Sequence, residues 1–179
     1  MEYLISRINW KMMELFAAED PAQIAHTQSV HDYTRVLAAR SGCAERRIAL
    51  LELAAILHDI GCPASRAKYG DSKPPHQEEE GARIVAEWLR ECPELNDDEK
   101  KFIEEAVGSH HQFEAAKRLG FEPLFEADLA VNLLEGYYPR ERAGELCEKL
   151  VTTAAGRELF HLLFGCCSEC AEADADRLG

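Results

Sequence analysis

Apolar residues recur at intervals of three and four along almost the whole chain, and no stretch of strict alternation is long enough for a strand. Such a chain must bury one stripe of each helix against its neighbours, which dictates an all-α helical bundle. Its 179 residues suffice for a single domain with a real core. The expected layout is one domain of about seven to nine helices. Residues 1–19 form an N-terminal packing helix, about 20–165 the core, and 166–179 a flexible tail. No internal repeat or low-complexity block interrupts this plan.

Proline, glycine and capping residues divide the pattern. Leu4, Ile5, Ile8, Met12, Leu15 and Phe16 make one stripe of a first helix, with Trp10 and Met13 read as further core packing. Asp20-Pro21 reads as a cap followed by proline at the first helical position. The second helix then runs to Arg40 and stops at Ser41-Gly42. A third starts near Ala44 and is ended by Gly61 and Pro63, leaving a long loop from Pro63 to Pro75. Gln77–Glu91 reads as the fourth helix. Asn96 with Glu99 resembles a capping box opening the fifth. Pro123 starts a sixth that ends near Gly136, and two more helices fill Arg140 to Phe164.

Charge narrows the partners. The formal net charge is −13, which repels nucleic-acid polymers and anionic membranes. A small phosphorylated metabolite or nucleotide stays open, because a metal and a few local cations dominate a pocket. No apolar run reaches the roughly 20 residues of a bilayer span. The start, MEYLISRINWKMMELF, lacks the features of a secretory signal. The 7 cysteines, an odd number, then read as reduced thiols in a cytoplasmic protein. Cys166, Cys167 and Cys170 include a C-x-x-C spacing but fall one ligand short of a zinc site, so they read as accessible thiols of the tail. A homodimer, the commonest soluble assembly, is left open.

Polar residues on apolar stripes carry the functional signal. His26 shares a stripe with Val30, Tyr33 and Leu37 and so points inward. His31, about 140° further round the helix, is expected to be exposed. Leu57-His58-Asp59-Ile60-Gly61 closes a nearly all-apolar helix. Two adjacent ionisable groups there are costly to bury unless paired or bound to a cation. His110 continues the stripe of Ala106 and Val107, and His111 reaches the same place from its edge. Asp128 sits among Leu124 and Val131, with Asn132 one turn on to orient its carboxylate. Singly, each residue is more often a hydrogen-bonded core or capping group than a ligand. Jointly, four helices each aim a His or Asp at one interior, as a divalent ion requires.

LAAILHDIG, residues 53–61, resembles the central motif of HD-domain phosphohydrolases. IAHTQSVHDYTRVLA resembles that family's first metal-histidine helix, and FEADLAVNLLE its segment with the last aspartate. The resemblance covers roughly residues 20–165. It implies an HD-type metal-dependent phosphohydrolase with His26, His58, Asp59 and Asp128 as metal ligands. Some branches add two histidines and a second metal; His110 matches one position, while His76 or Gln77 occupies the other. Many members carry a lysine after HDIG, where this chain has Cys62. Lys68, Lys73 and Arg66 then stand as candidate phosphate ligands, or as an ordinary solvated loop.

The implied reaction is hydrolysis of a nucleotide or other small phosphate ester by metal-activated water. Asp59 would orient or deprotonate the water, and His110 or His111 would protonate the leaving oxygen. The cofactor is one or two ions of Mn, Fe, Co, Ni, Zn or Mg. Two rival readings remain: a two-iron oxygenase resembling inositol oxygenase, and a catalytically silent metal- or nucleotide-binding regulatory module.

Overall fold

A computed structural model describes residues 1–166 of the chain and is all-helical over them. In chain order the helices are α1 (Glu2–Ala17), α2 (Pro21–Arg40), α3 (Glu45–Leu57), α4 (Cys62–Tyr69), α5 (Pro74–Arg90), α6 (Asp97–Val107), α7 (Phe113–Leu119), α8 (Glu122–Leu134), α9 (Ala143–Leu150) and α10 (Ala154–Phe164). A 3-10 turn, Arg140–Arg142, precedes α9. The expected all-α bundle is what forms.

The centre is α3, whose residues from Ala49 to Leu57 are all buried. α2 packs along both α3 and α8, and α6 and α1 close the other sides. The tract Glu45–Tyr69 is apolar enough by composition to span a bilayer, but it is largely buried inside the bundle and broken after Leu57. α1 lays Leu4, Ile8, Met12 and Phe16 into the core. Trp10 does not join them. It is 63% exposed, and its indole N–H donates to Glu14 one turn on, because it lies off the stripe that repeats every fourth residue.

Local chemistry sets the boundaries. Pro21 opens α2 and Pro74 opens α5, where a missing N–H costs nothing. The Asn96–Glu99 capping box forms in full at the start of α6. The stretch from Pro63 is helix rather than loop: Pro63 sits in the first turn of α4, and Gly70 ends it in the left-handed conformation (φ 78°). Proline stops a preceding helix but suits the start of the next, and here it does both within five residues. α7 lies where the sequence reading assigns no helix, and closes on Gly120 (φ 77°).

Two other expectations change. His31 is buried rather than exposed, because α3 packs over it and brings Glu52 Oε1 within 3.1 Å of its Nε2. Cys147, expected as a reduced thiol, is disulfide-bonded, while Cys43, Cys62, Cys92 and Cys166 are free. An odd cysteine count carries no information on which sulfurs approach each other. Cys167 and Cys170 lie outside the described residues.

Candidate metal centre

The turn between α3 and α4 is the hinge of the site. Gly61 packs so closely on α5 that a Cβ there would overlap the Gln77 carbonyl and the Gly81 nitrogen. That contact brings the start of α5 beside His58, Asp59 and Cys62. α2 and α8 flank the turn and supply His26 and Asp128.

These four residues converge. His26 Nε2 lies 3.2 Å from His58 Nε2, 3.6 Å from Asp59 Oδ2 and 3.4 Å from Asp128 Oδ1. His58 Nε2 lies 3.3 Å from Asp59 Oδ2 and 3.7 Å from Asp128 Oδ1. Donors about 2.1 Å from a shared tetrahedral centre stand about 3.4 Å apart, so the set has the spacing of a coordination shell.

Hydrogen bonds on the far side of each ring fix what faces inward. His58 Nδ1 donates to the Ala55 carbonyl at 2.7 Å, and His26 Nδ1 donates to Glu135 Oε2 at 2.9 Å. In the neutral rings both Nε2 atoms then present lone pairs, to each other and to two carboxylates. Without a cation or a proton between them that arrangement is repulsive; with a divalent ion it is the usual second-partner pattern of ligating histidines. Asn132 donates to Asp128 Oδ1 at 2.9 Å, and Gln23 donates to Asp59 Oδ2 at 2.5 Å. The donor set thus fits a divalent transition metal.

Protons compete for the same lone pairs. Burial alone would lower the His58 pKa, but the Asp59 charge beside it outweighs this and raises it to about 9. Burial would raise the Asp59 carboxyl, yet His58 holds it well below the ordinary carboxylate range. Asp128 is likewise held down, its desolvation offset chiefly by the hydrogen bond with His26.

His110 and His111 lie in the turn after α6 rather than on it. His110 is buried and donates Nδ1–H to the Val107 carbonyl at 2.8 Å, repeating the local geometry of His58. Its Nε2 has no hydrogen-bond partner and faces Asp59 Oδ1 at 3.5 Å. His111 is partly exposed on the cavity wall, where the Gln77 amide approaches its Nε2 at 3.2 Å. Glu78 accepts from the His111 backbone N–H at 3.1 Å and from the Gln112 side chain at 3.0 Å. Although Glu78, His110 and His111 are close enough to hold an ion, the Glu78 carboxylate is already committed to bracing this turn.

Gln77, not His76, faces the site. Gln77 is buried, lines the cavity and accepts a hydrogen bond from Cys62 Sγ. His76 turns away, stacks on Tyr69 at 4.2 Å and pairs through Nδ1 with Asp71 at 2.7 Å. Burial pushes the Cys62 thiol up, so it is a packed hydrogen-bond donor and not a nucleophile.

A cavity of about 440 Å³ opens beside the cluster, within the size range of small-molecule sites. Arg66 lines it. Lys68 and Lys73 do not: Lys68 Nζ is bound to Glu80 at 2.6 Å, and Lys73 Nζ to Asp71 at 3.2 Å. Sequence reading missed Gln23, Glu78, Glu135, Tyr137 and Tyr138. For two of them a signal existed: Gln23 is one turn before His26, and Glu135 is two turns after Asp128 on the same face.

No curated protein and no solved structure shows a significant match to the chain. The model of the HD domain family does match, over residues 24–154, a span that contains all four residues of the cluster. The chain therefore belongs to the HD domain family, within the metal-dependent phosphohydrolase superfamily.

Proposed function

We propose that this protein hydrolyses a small phosphate ester, using one divalent ion held by His26, His58, Asp59 and Asp128. The observation that carries the reading is the pair of Nε2 atoms facing each other at 3.2 Å beside two carboxylates, each ring locked by a hydrogen bond on its other nitrogen. A divalent ion bound there lowers the pKa of water and polarises a phosphoryl oxygen.

The side chains divide the remaining work. Arg66, on the cavity wall and without an ion-pair partner among the described residues, binds the phosphoryl group. Asp59 offers two oxygens in different settings: Oδ2 within the cluster and Oδ1 towards His110. It is placed to accept the proton of an attacking water, while Gln23 fixes the carboxylate plane. His111, with its ring on the cavity wall, delivers a proton to the leaving oxygen. His110 is too enclosed for that task and positions Asp59 instead. The two-iron oxygenase reading needs a second set of imidazoles, and on that wall Gln77 is hydrogen-bonded on both sides while His76 faces outward.

Purified protein assayed for bound metal, and for phosphate release from a panel of phosphate esters with Mn, Co, Ni, Fe, Zn or Mg, tests the proposal. Asp59→Ala is expected to lose both the metal and the activity. Full activity in that variant would remove this mechanism.

A further inference from the structure

Cations reach the cavity unevenly. Among the described residues that line it, Arg66 is the basic side chain free of any carboxylate partner, and Asp59, Asp128 and Glu135 are the acids. One guanidinium and one divalent ion balance three carboxylates. The lining is then neutral before a phosphate enters, and each phosphate beyond the one on the ion and Arg66 adds charge that no other cation meets, because Lys68 is held by Glu80 and Lys73 by Asp71. Beyond the cluster the wall is Asn132, Glu135, Tyr137 and Tyr138, a neutral-to-acidic, aromatic surface. Tyr137 and Tyr138 stand edge-to-face with centroids 5.0 Å apart, and Tyr137 is 73% exposed. A chain of phosphates laid along that wall would meet Glu135, whose carboxylate is held on the cavity wall by His26 Nδ1.

We infer that the substrate is a phosphomonoester whose leaving alcohol bears no further phosphate, with Arg66 binding the single phosphoryl group and the Glu135–Tyr138 wall selecting against polyphosphates. This rests on the phosphate-ester reading above and narrows it. Arg66 lies one turn after Cys62 on α4 and lines the cavity without being one of the four cluster residues.

The test uses the full chain loaded with Mn. Turnover of a nucleoside monophosphate is compared with that of the matching triphosphate, and binding of methylphosphonate, a non-hydrolysable dianion, is measured by calorimetry. The monophosphate is expected to have a kcat/KM at least about 100-fold higher, a discrimination of roughly 2.7 kcal/mol. Arg66→Ala is expected to weaken methylphosphonate binding about tenfold or more with bound metal unchanged, and Arg66→Lys to restore part of it. Equal turnover of the triphosphate, or unchanged phosphonate binding in Arg66→Ala, overturns the inference. Methylphosphonate binding that depends on Arg66, with no ester hydrolysed at all, instead overturns the hydrolytic reading and leaves the single-phosphate pocket standing.

Discussion

Two walls of one cavity carry similar residues and do different things. On the side where α2 and α8 flank the α3–α4 turn, His26, His58, Asp59 and Asp128 face each other, and hydrogen bonds from outside hold them there. Beside α5 and α6, Gln77 approaches His111 and Glu78 accepts from the backbone and a side chain of the turn, while His111 Nδ1 and His110 Nε2 have no hydrogen-bond partner. Both walls hold histidines and carboxylates within a few ångströms. Proximity therefore does not distinguish an ion site from a polar brace. What distinguishes them is where the carboxylates are spent: Asp59 and Asp128 face the cluster, whereas Glu78 accepts from the His111 N–H and the Gln112 amide of the turn.

That contrast is open to attack at four points. The largest effect is expected at His58. Replacing it with Ala removes a ligand whose outer nitrogen is already spoken for, and should lower metal affinity by more than the roughly 10–100-fold that loss of an outer partner costs. Elemental analysis after dialysis measures this, and retention of stoichiometric metal would erase the difference between the walls. Next comes pH. The folded His58 pKa is raised to about 9 from 6.5, so at neutral pH metal must displace a proton. Affinity is expected to rise about tenfold per pH unit below the folded pKa, up to near 9, and then level off. In the metal-free protein the sign reverses. The protonated His58 contributes stability that is complete below pH 6.5 and lost as pH rises through about 9. Opposite slopes for metal affinity and metal-free melting temperature are the signature to look for.

Asn132→Ala should cost about tenfold in metal affinity, because Asp128 loses the amide that orients it. A metal titration with a competing chelator reads this directly. The smallest effect belongs to the other wall. Glu78→Ala is expected to destabilise the fold by about 1–3 kcal/mol, since the His111 N–H and the Gln112 amide lose their acceptor. Bound metal should stay constant in that variant. If metal is lost in proportion, the α5–α6 wall is also part of an ion site.

The helix plan was largely legible because helices report themselves through spacing and punctuation. α2 begins at Pro21 and ends at Arg40, and the Asn96 cap opens α6, as the residues imply. α4 was not legible, because Pro63 ends one helix and starts another and only the packing of Gly61 on α5 decides between loop and helix. His31 misled for a similar reason: its place on the α2 wheel says nothing about α3 lying across it with a buried glutamate. His26, His58, Asp59, His110 and Asp128 were all visible as polar residues on apolar stripes. His76 and Gln77 were not separable, since adjacent residues differ by about 100° around a helix and neither position fixes the direction of the cavity.

The sequence by itself determined that this chain is a helical bundle and that polar side chains would be forced into its interior, because apolar periodicity leaves those positions nowhere else to go. Only the tertiary structure decided which of them face each other, that Gln77 rather than His76 reaches the cavity, and that Arg66 rather than Lys68 or Lys73 lines it. Those outcomes depend on contacts between helices distant in sequence, and a carboxylate that neutralises a lysine or frees an arginine is set by packing, not by spacing along the chain.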